Sequence, residues 1–500
     1  MSAPSPPAPA AGAPPAGAAG TDSGALETRG IEPVPPHERS GSPMQLFWVW
    51  FAANISILGL PLGAALIVFN GLNLWQALLA AALGAVGSFA VVGLVSIAGR
   101  RGGAPSLTLS RAVFGVRGNA GPTVVSLLSR LGWETVNTTT AAFALLSLFG
   151  IVLGTEGGAK EHPVLTLVSI AVFVGLTLLV SGLGHKVLVT VQKWATWGFG
   201  ALNIAVAAFL VASVDWDAVA AAPAGPVSAV VVGVGVIAAG TGIGWANSGA
   251  DMSRYQPVTV RSRALVLSAA AGAGVPLVLL IGLGSLVSAG DASLASASDP
   301  VAAIREMLPA WMAVPYLVAA FGGLLLSNHL SVYSAGLTTL TLGLRVPRAA
   351  AVLLDVLVTF AGAIYFMLVS DGFYGPFLTF LTLLAVPITA WTAVFLTDML
   401  VRRDYDDAAL MDTAPTSGYW YTGGVRWPAL GAWATGIAGG YLFTVAAAGE
   451  DVWFAGPLAG TWVGENGLGW VAAFVLAAGV YAACGGVRRA PARNRSGRTE

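Results

Sequence analysis

The chain has 500 residues, 56% of them hydrophobic and only 10% charged, against roughly 25% charged in a soluble globular protein, which excludes a water-soluble fold. The 24 basic and 24 acidic residues give a formal net charge of +0 and no electrostatic footprint for nucleic acid. A single cysteine, Cys484, excludes an intrachain disulfide and any cysteine metal motif, and the four histidines are too scattered to hold a metal or cofactor.

Residues 1–40 are rich in Ala, Pro and Gly and lack the basic-then-apolar order of a signal peptide, so they read as a disordered tail. Apolar runs follow, each enough for the approximately 20 residues of a membrane-crossing helix. They lie at about 44–69, 74–98, 121–150, 162–183, 187–212, 228–250, 263–289, 310–338, 348–370, 374–400, 427–447 and 466–486, here called spans 1 to 12. The expected fold is an all-α polytopic membrane protein with 12 transmembrane helices. The arginine-rich stretch 487–500 reads as a second disordered tail.

Placing the N-terminus in the cytoplasm puts Arg100, Arg101, Arg111, Arg117, Arg254, Arg261, Arg402, Arg403 and Arg426 inside. Only Lys160 and Arg305 then remain outside, among many acids. That bias follows the positive-inside rule and predicts a multi-pass inner (plasma) membrane protein, surrounded by lipid, with both termini cytoplasmic. No loop is long enough for a soluble catalytic domain, so function must lie among the helices and no enzyme is expected.

Two spans carry interruptions. Span 1 contains Leu58-Gly59-Leu60-Pro61-Leu62-Gly63, and span 6 contains Gly240-Thr241-Gly242-Ile243-Gly244. Proline removes a backbone donor and glycine weakens a helix. Freed backbone in hydrocarbon is costly unless it lines a cavity or finds partners. The alternative is a pair of simple kinks in a packed bundle. In span 3, Trp133 and Asn137 are four residues apart and share a helix face. An indole beside a carboxamide suits a planar heterocycle, although an interfacial tryptophan with a packing asparagine fits as well. Arg130 and Glu134 have the same spacing and are expected to form a structural ion pair. If that pair is loose, Glu134 becomes a proton-titrating group. Span 6 adds Trp245, Asn247 and Ser248, then Asp251 and Arg254 for a gate or an ion network near the cytoplasm. Span 8 brings Ser327, Asn328, His329 and Ser331, too polar to face lipid. Carbonyls at the span 1 break and hydroxyls of span 8 offer hard oxygen ligands to a sodium ion, while His329 and Glu134 are the central candidates for proton coupling.

From about Pro43 to Met399 these pieces, in order, resemble a nucleobase:cation symporter of the purine–cytosine permease type. They are Trp48-Val-Trp-Phe-Ala-Ala-Asn54 with Gly63, Leu109-Ser-Arg-Ala-Val-Phe-Gly115, and Gly132-Trp133 with Asn137. Gly244-Trp245, Ala250-Asp251, Arg254-Tyr255-Gln256-Pro257, Tyr333-Ser334-Ala335 and Phe395-Leu396-Thr397-Asp398 follow. The resemblance implies an amino-acid/sodium symporter-like fold of inverted five-helix repeats, here 44–212 and 228–400, with two further helices over 427–486. It implies import by alternating access, with Na+ or H+ as coupling ion, of a small planar heterocyclic substrate such as cytosine or a purine. Relatives in the wider family carry uracil, thiamine, vitamin B6, allantoin or hydantoins. The implied substrate residues are Trp133, Asn137 and Trp245, with Ser327, Asn328 and Ser331 from span 8 and Ser56, Leu58 or Gly59 from the span 1 break. Serines at 327 and 331, where relatives of that branch carry asparagine, leave the choice of ring open. A non-transporting membrane sensor is the rival from another class.

Overall fold

The structure is a computed structural model that describes residues 29–485 apart from 156, 183, 184, 213, 298, 345–347, 371–373, 449 and 450. The expected tails over residues 1–28 and 487–500 lie outside the described residues. Residues 29–40, which composition alone grouped with the first tail, are packed against the bundle. Arg39 donates to the carbonyls of Val34 (2.8 Å) and Arg100 (2.7 Å), the Val34 amide donates to the Gly103 carbonyl (2.8 Å), and Arg254 donates to the Gly30 carbonyl (2.7 Å). A segment that takes up this many backbone acceptors is held by the folded core rather than by its own composition. Burial pushes the Arg39 guanidinium below its usual range, with Asp407 pulling the other way.

Nine helices among the described residues are long and apolar enough to cross a membrane, and a tenth crossing is made by a bent pair. The pair is span 1. Ser42 caps Pro43–Asn54, accepting from the Gln45 amide while Gln45 answers to the Ser42 amide, a reciprocal capping box. The helix stops at Asn54, resumes at Gly59 and runs to Val68, with a bend of 63°. Span 6 is interrupted without such a bend. Helix Val227–Ala239 gives way to a turn at 240–242, a 3-10 stretch Ile243–Ser248 and a last turn Gly249–Ser253. The glycines at 240, 242 and 244 fall within this break, where an α-helix is least favoured. Spans 3, 7, 8 and 10 are long helices: Ala120–Leu153, Ser262–Ser288, Ala313–Thr341 and Tyr374–Met399.

The last two expected spans differ most. Helices Trp427–Leu442 and Gly469–Ala483 have 16 and 15 residues, so each is only about 22–24 Å long at 1.5 Å per residue. Between them an antiparallel hairpin pairs Val445–Ala448 with Asp451–Ala455. Span 11 therefore ends at Leu442, and the Val-Ala-Ala-Ala run that extended its apolar pattern forms a strand. Asp398, at the end of span 10, binds this pair to the bundle. It accepts from Arg402 (2.5 Å), Arg426 (2.7 Å) and the Tyr481 hydroxyl (2.6 Å).

The close crossings involve glycine. A Cβ on Gly63 of span 1 would collide with the Ile281 carbonyl of span 7, and one on Gly284 of span 7 would collide with the Leu60 carbonyl. Ser285 donates to the Gly63 carbonyl at 3.0 Å across the same crossing. Gly99 of span 2 and Gly249 of span 6 are just as tight, the first against Ala250 and Ser253, the second against the Val92 carbonyl. Small residues at such crossings let backbones approach where lipid supplies no hydrophobic drive. Gly63→Ala and Gly284→Ala are each expected to cost about 1–3 kcal/mol by overpacking. Thermal unfolding in detergent should show a lowered midpoint for both, and an unchanged midpoint would mean that the crossing is looser than described.

Candidate functional site

The break in span 1 leaves Ile55 to Leu58 outside any helix, and local bonds close part of it. The Asn54 amide nitrogen donates to the Trp50 carbonyl (2.8 Å), and the Gly59 amide donates to the Ser56 carbonyl (3.3 Å). Gly323 of span 8 lies so close to the Ile55 carbonyl that no Cβ would fit between them. In span 6 the Gly242 amide donates to the Ser88 hydroxyl of span 2 (3.1 Å), and Thr241 donates back to the Ile237 carbonyl (2.6 Å). The Gly244 carbonyl accepts from the Arg130 guanidinium of span 3.

A cavity of about 40 Å³ lies where these two breaks meet spans 3, 8 and 10, lined by Ser56, Gly59, Trp133, Asn137, Trp245 and Ser327 among others. Six of the eight expected site residues thus surround one space. The other two do not line it. Asn328 donates to the Thr177 hydroxyl of span 4 at 3.2 Å, and Ser331 lies beside Glu134. One turn of span 8 presents Ser327 to the cavity, while residues one and four positions on face spans 4 and 3. Span 10 supplies lining residues that sequence reasoning missed, Phe377, Leu378 and Leu381. Their spacing on an apolar helix reads as lipid contact, and only the packing of span 10 over the breaks turns them inward.

Inside the cavity, Asn137 is 1% exposed, and neither its amide oxygen nor its nitrogen has a hydrogen-bond partner among the described residues. A buried carboxamide without partners costs several kcal/mol in an apolar setting by transfer scales, roughly 2–7. Trp133 stands edge-on to Phe377, ring centroids 4.9 Å apart. Trp245 meets the edge of Trp50 at 5.4 Å, and the Arg130 guanidinium lies 4.1 Å from the Trp245 ring centroid. A cation at that distance is held by the ring's negative face.

The expected Arg130–Glu134 ion pair is not formed. Arg130 instead serves the carbonyl freed at Gly244 and the face of Trp245, two acceptors that exist only because span 6 is broken beside span 3. Both Glu134 carboxyl oxygens lack a hydrogen-bond partner among the described residues. Asp251 and Arg254 make no direct hydrogen bond among those described but hold neighbouring residues of span 8. Asp251 accepts from the Ser106 amide (2.8 Å) and the Ser334 hydroxyl (2.6 Å), whereas Arg254 reaches Gly30 and the Tyr333 hydroxyl (2.9 Å). Among the described residues no cluster of three His, Cys, Asp or Glu side chains is placed to hold a metal ion. A larger cavity, about 800 Å³, lies among residues 143–165, Asp299, Arg305 and 366–370. It gathers loop charges, including Lys160 and Arg305, and neither helix break reaches it, so the smaller cavity is the functional candidate.

A multi-helix membrane bundle whose two interrupted helices meet at a central, largely apolar cavity with a few polar side chains has the build of a solute carrier. A family model described as a permease for cytosine/purines, uracil, thiamine and allantoin matches residues 33–480. The chain belongs to that family, and it is a membrane permease rather than an enzyme. It is 28% identical over 397 residues to a candidate purine-cytosine permease of Bacillus subtilis, YxlA, covering 77% of this chain and 82% of the relative. It is 26% identical over 275 residues to the purine-cytosine permease FCY2 of Saccharomyces cerevisiae, covering 55% of this chain and about half (49%) of that relative. Among solved structures it resembles Mhp1, a nucleobase-cation-symport-1 family transporter, in a closed conformation with bromovinylhydantoin bound. The TM-score is 0.69 at 20% identity, covering 91% of this chain and 94% of that one. A Na+-coupled sialic acid symporter in a substrate-bound outward-open state follows at 0.57 and 11% identity, covering 90% and 91%. At these identities the likeness is one of fold.

Replacing Ser88 by Ala would leave the Gly242 amide buried without a partner, a loss of about 1–3 kcal/mol. A thermal unfolding midpoint equal to that of the unaltered protein would show that the span 6 break is closed by other means.

Proposed function

We propose that the permease imports a nucleobase, cytosine or a purine, in symport with Na+ or H+ by alternating access. The observation that carries this reading is the unpartnered Asn137 carboxamide lining one cavity with the indoles of Trp133 and Trp245, at the junction of two helix breaks. Arg130 lies over the Trp245 ring, and Trp245 lines the cavity where a base would stack. Asn137 can donate to a ring nitrogen or carbonyl and accept from an exocyclic amine, which an apolar solute could not exploit. Ser327 and Ser56 stand at the same cavity with hydroxyls that can do either. A cavity of 40 Å³ holds about three waters, less than a base needs. Entry therefore requires Phe377 and Leu381 of span 10 to withdraw from the site.

The packing also supports two inverted five-helix repeats with two further helices, twelve crossings in all. Span 1 crosses span 7 as span 6 crosses span 2, each pair sealed by a glycine on both partners. Swapping each span for its counterpart five away, 1 with 6 and 2 with 7, exchanges one pair for the other, the relation an inverted repeat requires. Both termini are then cytoplasmic, in the plasma membrane, as the arginine distribution demands. The wider family description favours a second reading, a thiamine or allantoin carrier of the same fold.

Titration of purified protein with cytosine, adenine, hypoxanthine, uracil, allantoin and thiamine, followed by tryptophan fluorescence, ranks these solutes. We expect a nucleobase to bind tightest. Trp133→Ala should abolish that binding without loss of membrane insertion. Asn137→Ala should weaken it by about 1–3 kcal/mol, the cost of a lost buried hydrogen bond. Unchanged affinity in both folded variants, or tightest binding of thiamine or allantoin, would overturn the assignment.

A further inference from the structure

Glu134 is the buried group that the substrate cavity leaves unexplained. It is 0% exposed in the middle of span 3, and neither carboxyl oxygen has a hydrogen-bond partner among the described residues. An ionised carboxylate in that setting would be expensive, whereas the neutral acid loses far less on leaving water. One turn earlier on the same helix, Arg130 is also 0% exposed. Its Nη2 is given to the Gly244 carbonyl and its plane to Trp245, but Nε and Nη1 have no hydrogen-bond partner among the described residues. Four-residue spacing puts the two side chains within reach of each other, so Arg130 has a second acceptor available that it does not use.

We propose that Glu134 is the proton-binding residue of this permease, and that Arg130 is a movable counter-charge linking its protonation to the substrate cavity. This inference rests on the nucleobase reading above and names the coupling ion as H+. With Glu134 protonated, Arg130 stays on Gly244 and Trp245, the arrangement described here, and holds the span 6 break in its substrate-binding shape. When the cytoplasmic side admits water, the Glu134 O–H bond breaks and the proton leaves to that water. The resulting carboxylate draws the guanidinium away from Trp245. The Gly244 carbonyl loses its donor, the indole loses its cation, and the base is released. No other reactant is needed.

The surroundings of Glu134 fit this role. Spans 4, 8, 9 and 10 and the short helix Pro300–Glu306 pack against span 3. Span 8 presents Ser331, and span 9 presents Asp355, which adds negative charge nearby while its own carboxylate accepts from Thr339 at 3.1 Å. His329 lies two residues before Ser331 and so on another face of span 8. Residues 163–182 of span 4 contain no charged side chain. Asp398 of span 10 is committed to Arg402 and Arg426 at the far end of that helix, and Arg305 and Glu306 lie at the outer loop. Arg130 is thus the cation positioned to answer a charge on Glu134. The placement also accounts for Ser331, which the sequence put at the substrate and the structure puts beside this carboxyl.

Two measurements test the proposal. The first is the affinity of the purified protein for cytosine across a pH series. Binding requires the protonated form, so affinity should hold at low pH and fall by up to tenfold per pH unit once Glu134 ionises. Glu134→Gln, a permanent stand-in for the neutral acid, should keep the low-pH affinity throughout. A wild-type affinity independent of pH, or a Glu134→Gln variant that keeps the wild-type pH dependence, would overturn the assignment. The second needs no substrate. Infrared spectra of the wild-type protein should contain the C=O stretch of a protonated carboxylic acid that fades as pH rises and is missing from Glu134→Gln. If the variant does not insert, a wild-type spectrum without such a band still refutes the proposal. A wild-type protein that binds none of the bases sinks the nucleobase reading instead, and the infrared titration then decides on Glu134 alone.

Discussion

Backbone amides and carbonyls opened within a membrane find no water there, and the interruptions in this bundle are closed partly by local bonds and partly by neighbouring helices. Ser88 of span 2 takes the Gly242 amide, and Arg130 of span 3 takes the Gly244 carbonyl. The span 1 break is closed by Ser56 and covered by Gly323 of span 8. The contacts of Ser88, Arg130 and Gly323 hold spans 2, 3 and 8 against the breaks. Spans 1, 3, 6, 8 and 10 surround one cavity, with span 2 bracing the span 6 break from behind, because broken helices cannot stand alone in lipid.

The same constraint gives Arg130 its position. A guanidinium buried without a carboxylate partner is costly, and here it is balanced by a freed carbonyl and the face of an indole, both products of the break. The cavity-lining Trp245 and the charge on span 3 therefore form one unit. A change in what Arg130 holds is felt at Trp245 directly, with no long chain of contacts between.

Much of this was legible in the sequence. The glycines at 240, 242 and 244 marked the span 6 break, and helical spacing placed Trp133 with Asn137 on one face. The span 1 interruption expected at 58–63 lies slightly earlier, at 55–58, because Pro61 falls in the first turn of the helix Gly59–Val68, where a proline is tolerated. Four things were hidden, each settled by tertiary packing. Four-residue spacing suggested that Arg130 pairs with Glu134, but the competing acceptor at Gly244 lies 114 residues away in sequence. Ser327, Asn328 and Ser331 form one polar cluster on paper, yet Asn328 is turned towards span 4 and Ser331, one turn further along from Ser327, reaches span 3 at Glu134 instead of the cavity. Phe377 and Leu381 are ordinary apolar residues until span 10 lies over the site. The Val-Ala-Ala-Ala run after Leu442 continues an apolar pattern that a short strand satisfies equally well.

Uptake into proteoliposomes tests the central claim most directly. Radiolabelled cytosine would be supplied outside, with pH and sodium gradients imposed separately and unlabelled adenine and hypoxanthine as competitors. The account predicts accumulation above equilibrium when the outside is acidic, suppressed by whichever purine shares the site. Binding of cytosine without accumulation under either gradient would contradict it and leave a protein that recognises a base but does not carry it.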